Sequence, residues 1–211
     1  MKKKNFAILF FLLTYGILGG TISSFFNGNY IYAIKNNQVS NQVSLSNDNS
    51  AIVISDDITL WNDDNSRSPS IAIDTLNTVH VVWYDYTNGT WGSDIEIMYC
   101  TYTATAGWSN ATVISDDETN WNNDDSYTPS IAVDSLNTVH VVWYDHTDGT
   151  WGSDTEIMYC NYTAAAGWSN ATVISDDETN WNNDDSYTPS IAVDSLNTVH
   201  VVWYDSTDGI W

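Results

Sequence analysis

The chain repeats itself at a fixed period of 60 residues from Ala51 onward. Residues 51–110 and 111–170 are identical at 46 of 60 positions, and residues 111–151 and 171–211 are identical at 39 of 41. A repeat of this length is one supersecondary unit that cannot bury its apolar surface alone, so neighbouring units stack on each other. The period therefore predicts an array of like units that share a hydrophobic core.

Each copy reads as four short strands, named a to d, that are separated by turn signals. Runs rich in valine, isoleucine, threonine, tyrosine and tryptophan predict strands, and Gly, Asn, Asp and Ser between them predict turns. Short turns join a to b and c to d, whereas long polar loops join b to c and d to the next a. The strands predicted in the second copy are Pro129–Asp134, Val139–Asp145, Thr155–Thr163 and Trp168–Ser175.

Strand b carries the run VHVVWYD at residues 79–85, 139–145 and 199–205. A strand with one solvent-exposed face alternates apolar and polar residues, but this run leaves neither face polar. Such a strand is covered on both sides. Four-stranded antiparallel sheets that cover one another in this way are the blades of a β-propeller. The sequence therefore predicts an all-β fold, a propeller of roughly 60-residue blades, and a two-sheet sandwich ranks second.

The first fifty residues differ from the repeats. Three lysines at 2–4 precede the apolar run Phe6–Leu18, which is typical of a secretory signal. We expect residues 1–26 to be a signal peptide or an N-terminal anchor, residues 27–50 a flexible polar spacer, and residues 51–211 the repeats (51–110, 111–170 and a partial 171–211). The folded part is then extracellular or at the cell surface, and only an uncleaved N-terminal segment would contact a membrane.

The net charge of −22 and the single arginine, Arg67, restrict the partners. Nucleic-acid binding requires cations that neutralise phosphates, so this class of function is excluded. The two cysteines, Cys100 and Cys160, occupy equivalent repeat positions, which are usually too far apart to bridge. We expect two free thiols.

The unit PSIAVDSLNTVHVVWYD…EIMYC…GWS resembles the repeats of sialidase-like (BNR-type) β-propellers across residues 51–211. That family's Asp-box, Ser-x-Asp-x-Gly-x-Thr-Trp, lies in the turn between strands c and d. The corresponding turn here keeps Gly107 and Trp108 but has Thr105 at the aspartate position, so the box is degenerate. The resemblance implies a ring of about six blades, which this chain supplies in part. We expect this chain to be either a fragment or one of several chains in a ring.

The resemblance also implies how a sialidase would work, with three arginines that clamp the substrate carboxylate, a Tyr–Glu nucleophile and an aspartate acid/base. Arg67 alone cannot supply a clamp of several rigid bidentate donors. Near-identical repeats also place the same groups in every unit, which favours multivalent binding over one singular active site. We therefore expect no catalysis by these 211 residues. A hydrolase with catalytic residues in missing sequence and a structural or adhesion element are the alternatives.

The long loops carry the candidate binding residues. Because strands alternate in direction, the b–c and d–a loops emerge on one face, where each copy presents tryptophans among carboxylates and amides. Aromatic faces with a few polar anchors suit sugars, so we expect a glycan or a surface protein as partner. The alternative is that these tryptophans fold back and anchor the loops. The candidates are Trp61, Trp91, Trp121, Trp151 and Trp181, with Asp85 and Asp145.

Clustered carboxylates make calcium a possible ligand, although no cofactor is required. Hard cations bind clustered oxygens, and the d–a loop of the second copy offers four carboxylates. No Asp-x-Asp-x-Asp-Gly loop is present. The recurring strand-b histidines lie one blade apart, which favours satisfied buried histidines over a zinc site. The calcium candidates are Asp116, Asp117, Asp124 and Asp125.

Overall fold

A computed structural model of the chain describes residues 32–34, 51–55, 65–86, 94–116, 122, 124–146, 154–176, 182 and 184–206. Within these ranges the secondary structure is all-β, and the sheets are antiparallel. The same residues contain no helix of the length and apolarity that a membrane crossing requires.

The strands form a ribbon and three sheets. The ribbon pairs β1 (Tyr32–Ile34) with β2 (Ala51–Val53). The first sheet contains β3 (Ser66–Ile73), β4 (Val79–Asp85), β5 (Glu96–Thr103), β6 (Gly107–Trp108) and β7 (Thr112–Val113). The second sheet contains β8 (Ser126–Val133), β9 (Val139–Asp145), β10 (Glu156–Thr163), β11 (Gly167–Trp168) and β12 (Thr172–Val173). The third sheet pairs β13 (Ser186–Val193) with β14 (Val199–Asp205).

Strand b has the predicted bounds, whereas strands a and d differ from the prediction. Strand a begins at Ser126 rather than Pro129, because the ladder continues across a bulge where Thr128 has φ 48°. A β-bulge places an extra residue in one strand without ending the pairing. Strand d is broken into β11 and β12, which both pair with β10. Between them, Ser169 bonds Asn161 through its amide and its hydroxyl, at 2.7 and 3.0 Å.

The three copies of VHVVWYD show what covers strand b. Val82 and Val142 are 0% exposed in the first and second sheets, but Val202 is 67% exposed in the third. The sequence is identical in all three places, so the difference comes from the neighbours alone. The first two strands each have a following sheet packed on this face, and no described sheet follows the third. The predicted covering of strand b on both sides is confirmed for β4 and β9, whereas one face of β14 is exposed in the described part of the chain.

Neighbouring sheets pack face to face through the same contacts at each junction. Val82 of the first sheet shares a core with Ile131 of the second, and Val142 shares a core with Ile191 of the third. The amide of Ile131 donates to Ser70 Oγ at 3.3 Å, and the next junction repeats this bond at the same length. The sheets are thus successive blades of a β-propeller, as predicted. The ring is not closed within the described residues.

The N-terminal ribbon lies partly inside the predicted spacer. β1 falls within residues 27–50, and its three residues pair antiparallel with β2. Ile54, which follows β2, is buried against Trp83 and Met98 of the first sheet. The remaining residues of the predicted signal and spacer lie outside the described residues, so those two assignments stay predictions.

The prediction of two free thiols is confirmed. Cys100 and Cys160 are not bonded to each other, and both are buried in the cores between sheets. Burial raises the pKa of the Cys100 thiol to about 12. Both cysteines therefore act as small apolar core residues, and their sulfur atoms are closed to solution reagents.

Candidate functional site

The strand ends that carry the long loops lie along one edge of each sheet, called here the loop edge. In the second sheet Asp145 ends β9, and the register pairs it with Ser126 at the start of β8 and with Glu156 at the start of β10. At the opposite edge β8 and β9 are joined by a short turn. The b–c and d–a loops therefore leave each sheet from the same edge, as the alternating strand direction predicts.

Asp145 holds the loop edge together from inside. Its Oδ2 accepts hydrogen bonds from Ser126 Oγ at 2.6 Å, from Trp143 Nε1 at 3.1 Å and from Asn122 Nδ2 at 2.9 Å. Its side chain is 0% exposed, so these charge-assisted bonds replace the water that a carboxylate normally keeps. Asp85 makes the equivalent bonds to Ser66 and Trp83 in the first sheet.

These contacts give Asp85 and Asp145 a positioning role that sequence reasoning did not anticipate. Both were candidates for ligand binding because they stand where strand b enters a loop. In the structure the bonded oxygen of each aspartate accepts from a serine and a tryptophan of its own sheet, and both residues are fully buried. Their direct contact with a ligand stays a prediction.

Asn122 is a functional position that sequence reasoning missed. It lies in the d–a loop, is 1% exposed, and bonds both Asp145 and Ser126 through Nδ2. Its side chain therefore ties the long loop to the strand end beneath it, and Asn182 repeats these bonds at the next junction. The sequence did contain a signal for this position. Asn62 and Asn122 are identical, whereas residues 56–65 and 116–125, which surround them in the first two copies, differ at four of ten positions.

Glu96 adds a buried carboxyl to the loop edge of the first sheet. It is 0% exposed, and Ser115 Oγ donates to its Oε2 at 2.5 Å. Burial raises the pKa of Glu96 to about 8; the serine bond opposes this shift, and the charges of Asp94, Asp116 and Asp145 reinforce it. Burial likewise raises the pKa of Glu156 to about 7. At neutral pH Glu96 is mostly protonated, and its bond to Ser115 joins the start of β5 to the segment that follows β7.

Three of the four calcium candidates lie in the described residues, and Asp117 lies outside them. Asp125 is already engaged, because its Oδ1 accepts the amide of Ile95 at 2.9 Å and its Oδ2 accepts the hydroxyl of Tyr127 at 2.9 Å. Asp116 is buried, and Asp124 is half-buried.

These carboxylates are close enough to affect one another. The pKa of Asp94 is raised, first by burial and then by the charges of Asp116, Asp125 and Asp124. Within the described ranges no group of three His, Cys, Asp or Glu side chains is arranged to hold a metal ion. Calcium binding at this edge stays a prediction.

The five candidate tryptophans of the long loops lie outside the described residues: Trp61, Trp91, Trp121, Trp151 and Trp181. The structure therefore tests neither sugar stacking nor the alternative that they anchor the loops. The tryptophans of the described sheets have structural positions. Trp83 and Trp143 are 0% exposed in the core, and Trp168 packs edge-on against Tyr99 of the preceding sheet with ring centroids 4.9 Å apart.

The recurring histidines lie near the opposite edge, and the first two are buried, as predicted, with Nδ1 at hydrogen-bond distance from a tyrosine hydroxyl. His80 Nδ1 is 2.7 Å from Tyr99 Oη, and its Nε2 is 3.5 Å from Asp74 Oδ2. Burial lowers the pKa of His80, although the hydrogen bond and charge of Asp74 oppose that shift. The equivalent His200 in the third sheet is exposed.

No family model matches the chain, and no curated protein matches it significantly in sequence. The BNR-type resemblance therefore rests on the motifs of the repeat alone.

Several solved structures have a similar fold. A thermostable family-43 glycoside hydrolase is 13% identical over 74% of this chain and 53% of its own, with a TM-score of 0.48. A Hadza microbial sialidase is 14% identical over 70% of this chain and 36% of its own, with a TM-score of 0.44. A fucose lectin from Kordia zhangzhouensis, solved with methyl-fucoside, is 11% identical over 66% of this chain and 85% of its own, with a TM-score of 0.40.

This chain thus spans about half of the hydrolase and about a third of the sialidase. All three neighbours are carbohydrate-active or carbohydrate-binding proteins by description. With identities of 14% or less and TM-scores below 0.5, these likenesses carry no argument about function.

Proposed function

We propose that the chain is an exported, surface-held repeat module that binds carbohydrate through the long loops of its loop edge. The observation that carries the proposal is a bonded platform at the strand ends from which those loops leave. At one junction the buried Asp145, Ser126 and Asn122 form it, and at the next the half-buried Asp205 forms it with Ser186 and Asn182.

The platform repeats at two junctions, where Asn122 and Asn182 of the d–a loops bond the equivalent strand ends. The long loops that leave these strand ends are rich in tryptophan, asparagine and aspartate. Such loops combine an aromatic face with planar hydrogen-bonding groups, which is the composition of a sugar site. Several equal sites on one face would bind a repetitive glycan with an avidity far above the affinity of one site.

In this proposal the chain binds carbohydrate but does not hydrolyse it. A carboxylate clamp of the sialidase type needs several arginines, and Arg67 is the only one among the 211 residues. In the structure Arg67 is exposed on β3, with its guanidinium carbon 5.6 Å from the ring centroid of Tyr86. Hydrolysis of a fluorogenic sialoside by the purified chain would contradict this part of the proposal.

Export is proposed from the N-terminal sequence. Three lysines followed by an apolar run direct a chain to the secretory route, and the acidic composition suits an extracellular protein. Expression with the native N-terminus, followed by N-terminal sequencing of the product outside the cytoplasm, tests this point. A full-length product that stays in the cytoplasm would contradict it.

A glycan array tests the binding proposal, with W121A/W181A as the binding variant and L136A/L196A as the matched control. Leu136 and Leu196 lie in the exposed turns of the opposite edge, so their replacement should leave binding intact. The tryptophan variant should lose binding and keep its unfolding midpoint. If it unfolds instead, the tryptophans anchor the loops. If the wild-type chain binds no glycan, a structural surface role replaces the proposal.

A further inference from the structure

A row of tyrosine side chains crosses the junctions between the sheets, one rung inside the loop edge. In the second sheet the register pairs Tyr127 with Tyr144, in the rung that adjoins Asp145. The first and third sheets place a tyrosine at the equivalent rung, on strand b and on strand a respectively. The four residues, called here the tyrosine row, are Tyr84, Tyr127, Tyr144 and Tyr187.

The rings of the tyrosine row follow one another in contact. Tyr127 lies edge-on to Tyr84, and Tyr144 lies edge-on to Tyr187, with ring centroids 5.3 Å apart at both junctions. Within the second sheet Tyr127 stacks on Tyr144 at the same separation, with ring planes 26° apart. Edge-on and offset-stacked pairs at this distance attract each other. The row is therefore a continuous aromatic strip across three sheets.

Solvent reaches this strip, although it does not reach the rest of β9. The first five residues of β9 are buried, whereas Tyr144 is half-buried. Tyr84 and Tyr127 are half-buried as well. His146 is exposed, and its ring centroid lies 5.4 Å from that of Tyr127 and 5.8 Å from that of Tyr144. The strip is thus partly open at the edge where the long loops leave the sheets.

Hydrogen bonds hold two rings of the row in place. Tyr127 Oη donates to Asp125 Oδ2 at 2.9 Å, and Asp125 Oδ1 accepts the amide of Ile95 at 2.9 Å. Tyr187 Oη donates to Asp185 Oδ2 at 2.8 Å, and Asp185 also accepts a backbone amide. Because these rings are already fixed, a ligand that contacts them pays little for ordering side chains.

We propose that an uncharged polysaccharide binds along the tyrosine row, with its sugar rings against the exposed parts of the tyrosines. The inference rests on the proposed function and adds contacts at the strand ends to those of the loop tryptophans. A sugar ring presents apolar C–H groups and polar hydroxyls, and a tyrosine side chain has an apolar body and a polar tip. His146 adds ring nitrogens that hydrogen-bond hydroxyls.

The charge of the chain selects uncharged sugars. The net charge is −22, and Arg67 is the only lysine or arginine after residue 50. Asp125 and Asp185 lie directly beside the row, since each accepts a bond from one of its hydroxyls. A polysaccharide that carries carboxylates or sulfates would be repelled at this edge.

The repetition of the row favours a polymer over a single sugar. The contact of Tyr84 with Tyr127 at one junction recurs as the contact of Tyr144 with Tyr187 at the next, with interplanar angles of 76° and 83°. A ligand with a repeating unit makes the same contact at each junction. Linked contacts of this kind raise the overall affinity well above that of one contact.

The first test is affinity electrophoresis in gels that contain a soluble β-glucan, a xylan or a mannan, with polygalacturonate as the acidic comparison. At least one uncharged polysaccharide should retard the purified chain, and polygalacturonate should not. Y144L removes a ring but keeps apolar bulk, and should weaken binding about tenfold. Y144F keeps the ring and should bind as the wild type does.

Y162L is the matched control for the loss of a half-buried tyrosine. Tyr162 pairs with Val139 near the opposite edge, and its ring centroid lies 5.3 Å from that of Trp168. Y162L should lower the unfolding midpoint about as much as Y144L does, and should leave the retardation unchanged.

The second test needs no substitution. Hydroxyl-radical footprinting of the wild-type chain, read by peptide mapping at matched radical dose, compares the chain with and without the polysaccharide that retards it. Tyr127 and Tyr144 should be protected from oxidation by the bound polysaccharide, and Tyr162 should not.

The outcomes separate this inference from the proposed function. Equal binding by Y144L and Y162L, or no protection of Tyr127 and Tyr144, would show that the row only packs the sheets, and the inference alone would fail. Retardation by polygalacturonate alone would overturn the uncharged ligand. Retardation by none of the uncharged polysaccharides would overturn the inference, and it would overturn the proposed function only if the glycan array were negative too.

Discussion

The buried carboxyl of Glu96 predicts how the stability of the chain depends on pH. Burial raises its pKa in the folded chain to about 8, against an ordinary value of 4.5. The folded state therefore holds the proton more tightly than the unfolded state. The stabilising effect is fully present below pH 4.5 and is lost progressively as the pH rises through about 8.

The size of the effect follows from the shift. One pKa unit of difference between the two states corresponds to about 1.4 kcal/mol. Between pH 4.5 and pH 7, the linked loss of unfolding free energy at Glu96 is about 3 kcal/mol. E96Q keeps an acceptor for the Ser115 hydroxyl but has no proton to lose. It should equal the wild type near pH 4 and exceed it by up to about 3 kcal/mol at pH 7.

Urea unfolding from pH 4 to pH 8 measures this difference. Other titrating groups, such as His80, are present in both proteins, so only Glu96 contributes to the gap between the two curves. L136A is the control, because Leu136 lies in an exposed turn of the opposite edge and replacing it removes no titrating group, so its curve should run parallel to that of the wild type. Parallel curves for E96Q and the wild type would refute the reasoning.

Three further outcomes are expected. N122A should lower the free energy of unfolding by about 1–3 kcal/mol, because it leaves the buried Asp145 short of a donor; equal stability in urea would contradict this. D134A should cost about 1 kcal/mol, since Asp134 Oδ1 accepts the amides of Leu136 and Thr138 at 2.9 and 2.7 Å, and D134N, which keeps an acceptor, should cost less in the same assay. Cys100 and Cys160 should react with a thiol reagent only as fast as the chain unfolds, and rapid labelling of the native chain would argue against their burial.

The sheets could be predicted from sequence because their signals are local and repeated. Strand b is a dense apolar run, and its bounds, Val139–Asp145, match the prediction. The start of strand a was missed because Ser126 and Tyr127 look like loop residues. Their ladder bonds depend on a bulge at Thr128, which no local rule indicates.

The loop edge could be predicted only in outline. The shared edge of the two long loops follows from alternating strand direction, and it is observed. The roles of individual side chains were missed because they depend on contacts between distant segments. Asn122 and Asp145 are 23 residues apart in the chain, and Glu96 and Ser115 are 19 apart, so their pairing appears only when the sheets are built.

The central claim is that strand b lies between two copies of its own sheet, and labelling of V142C tests it most directly. Val142 is 0% exposed, and cysteine is close to valine in size, so the variant should fold. The account predicts that the thiol at residue 142, located by peptide mapping, reacts only at the rate of unfolding. Labelling at the rate of an unfolded chain, while circular dichroism shows an intact β-fold, would contradict the account.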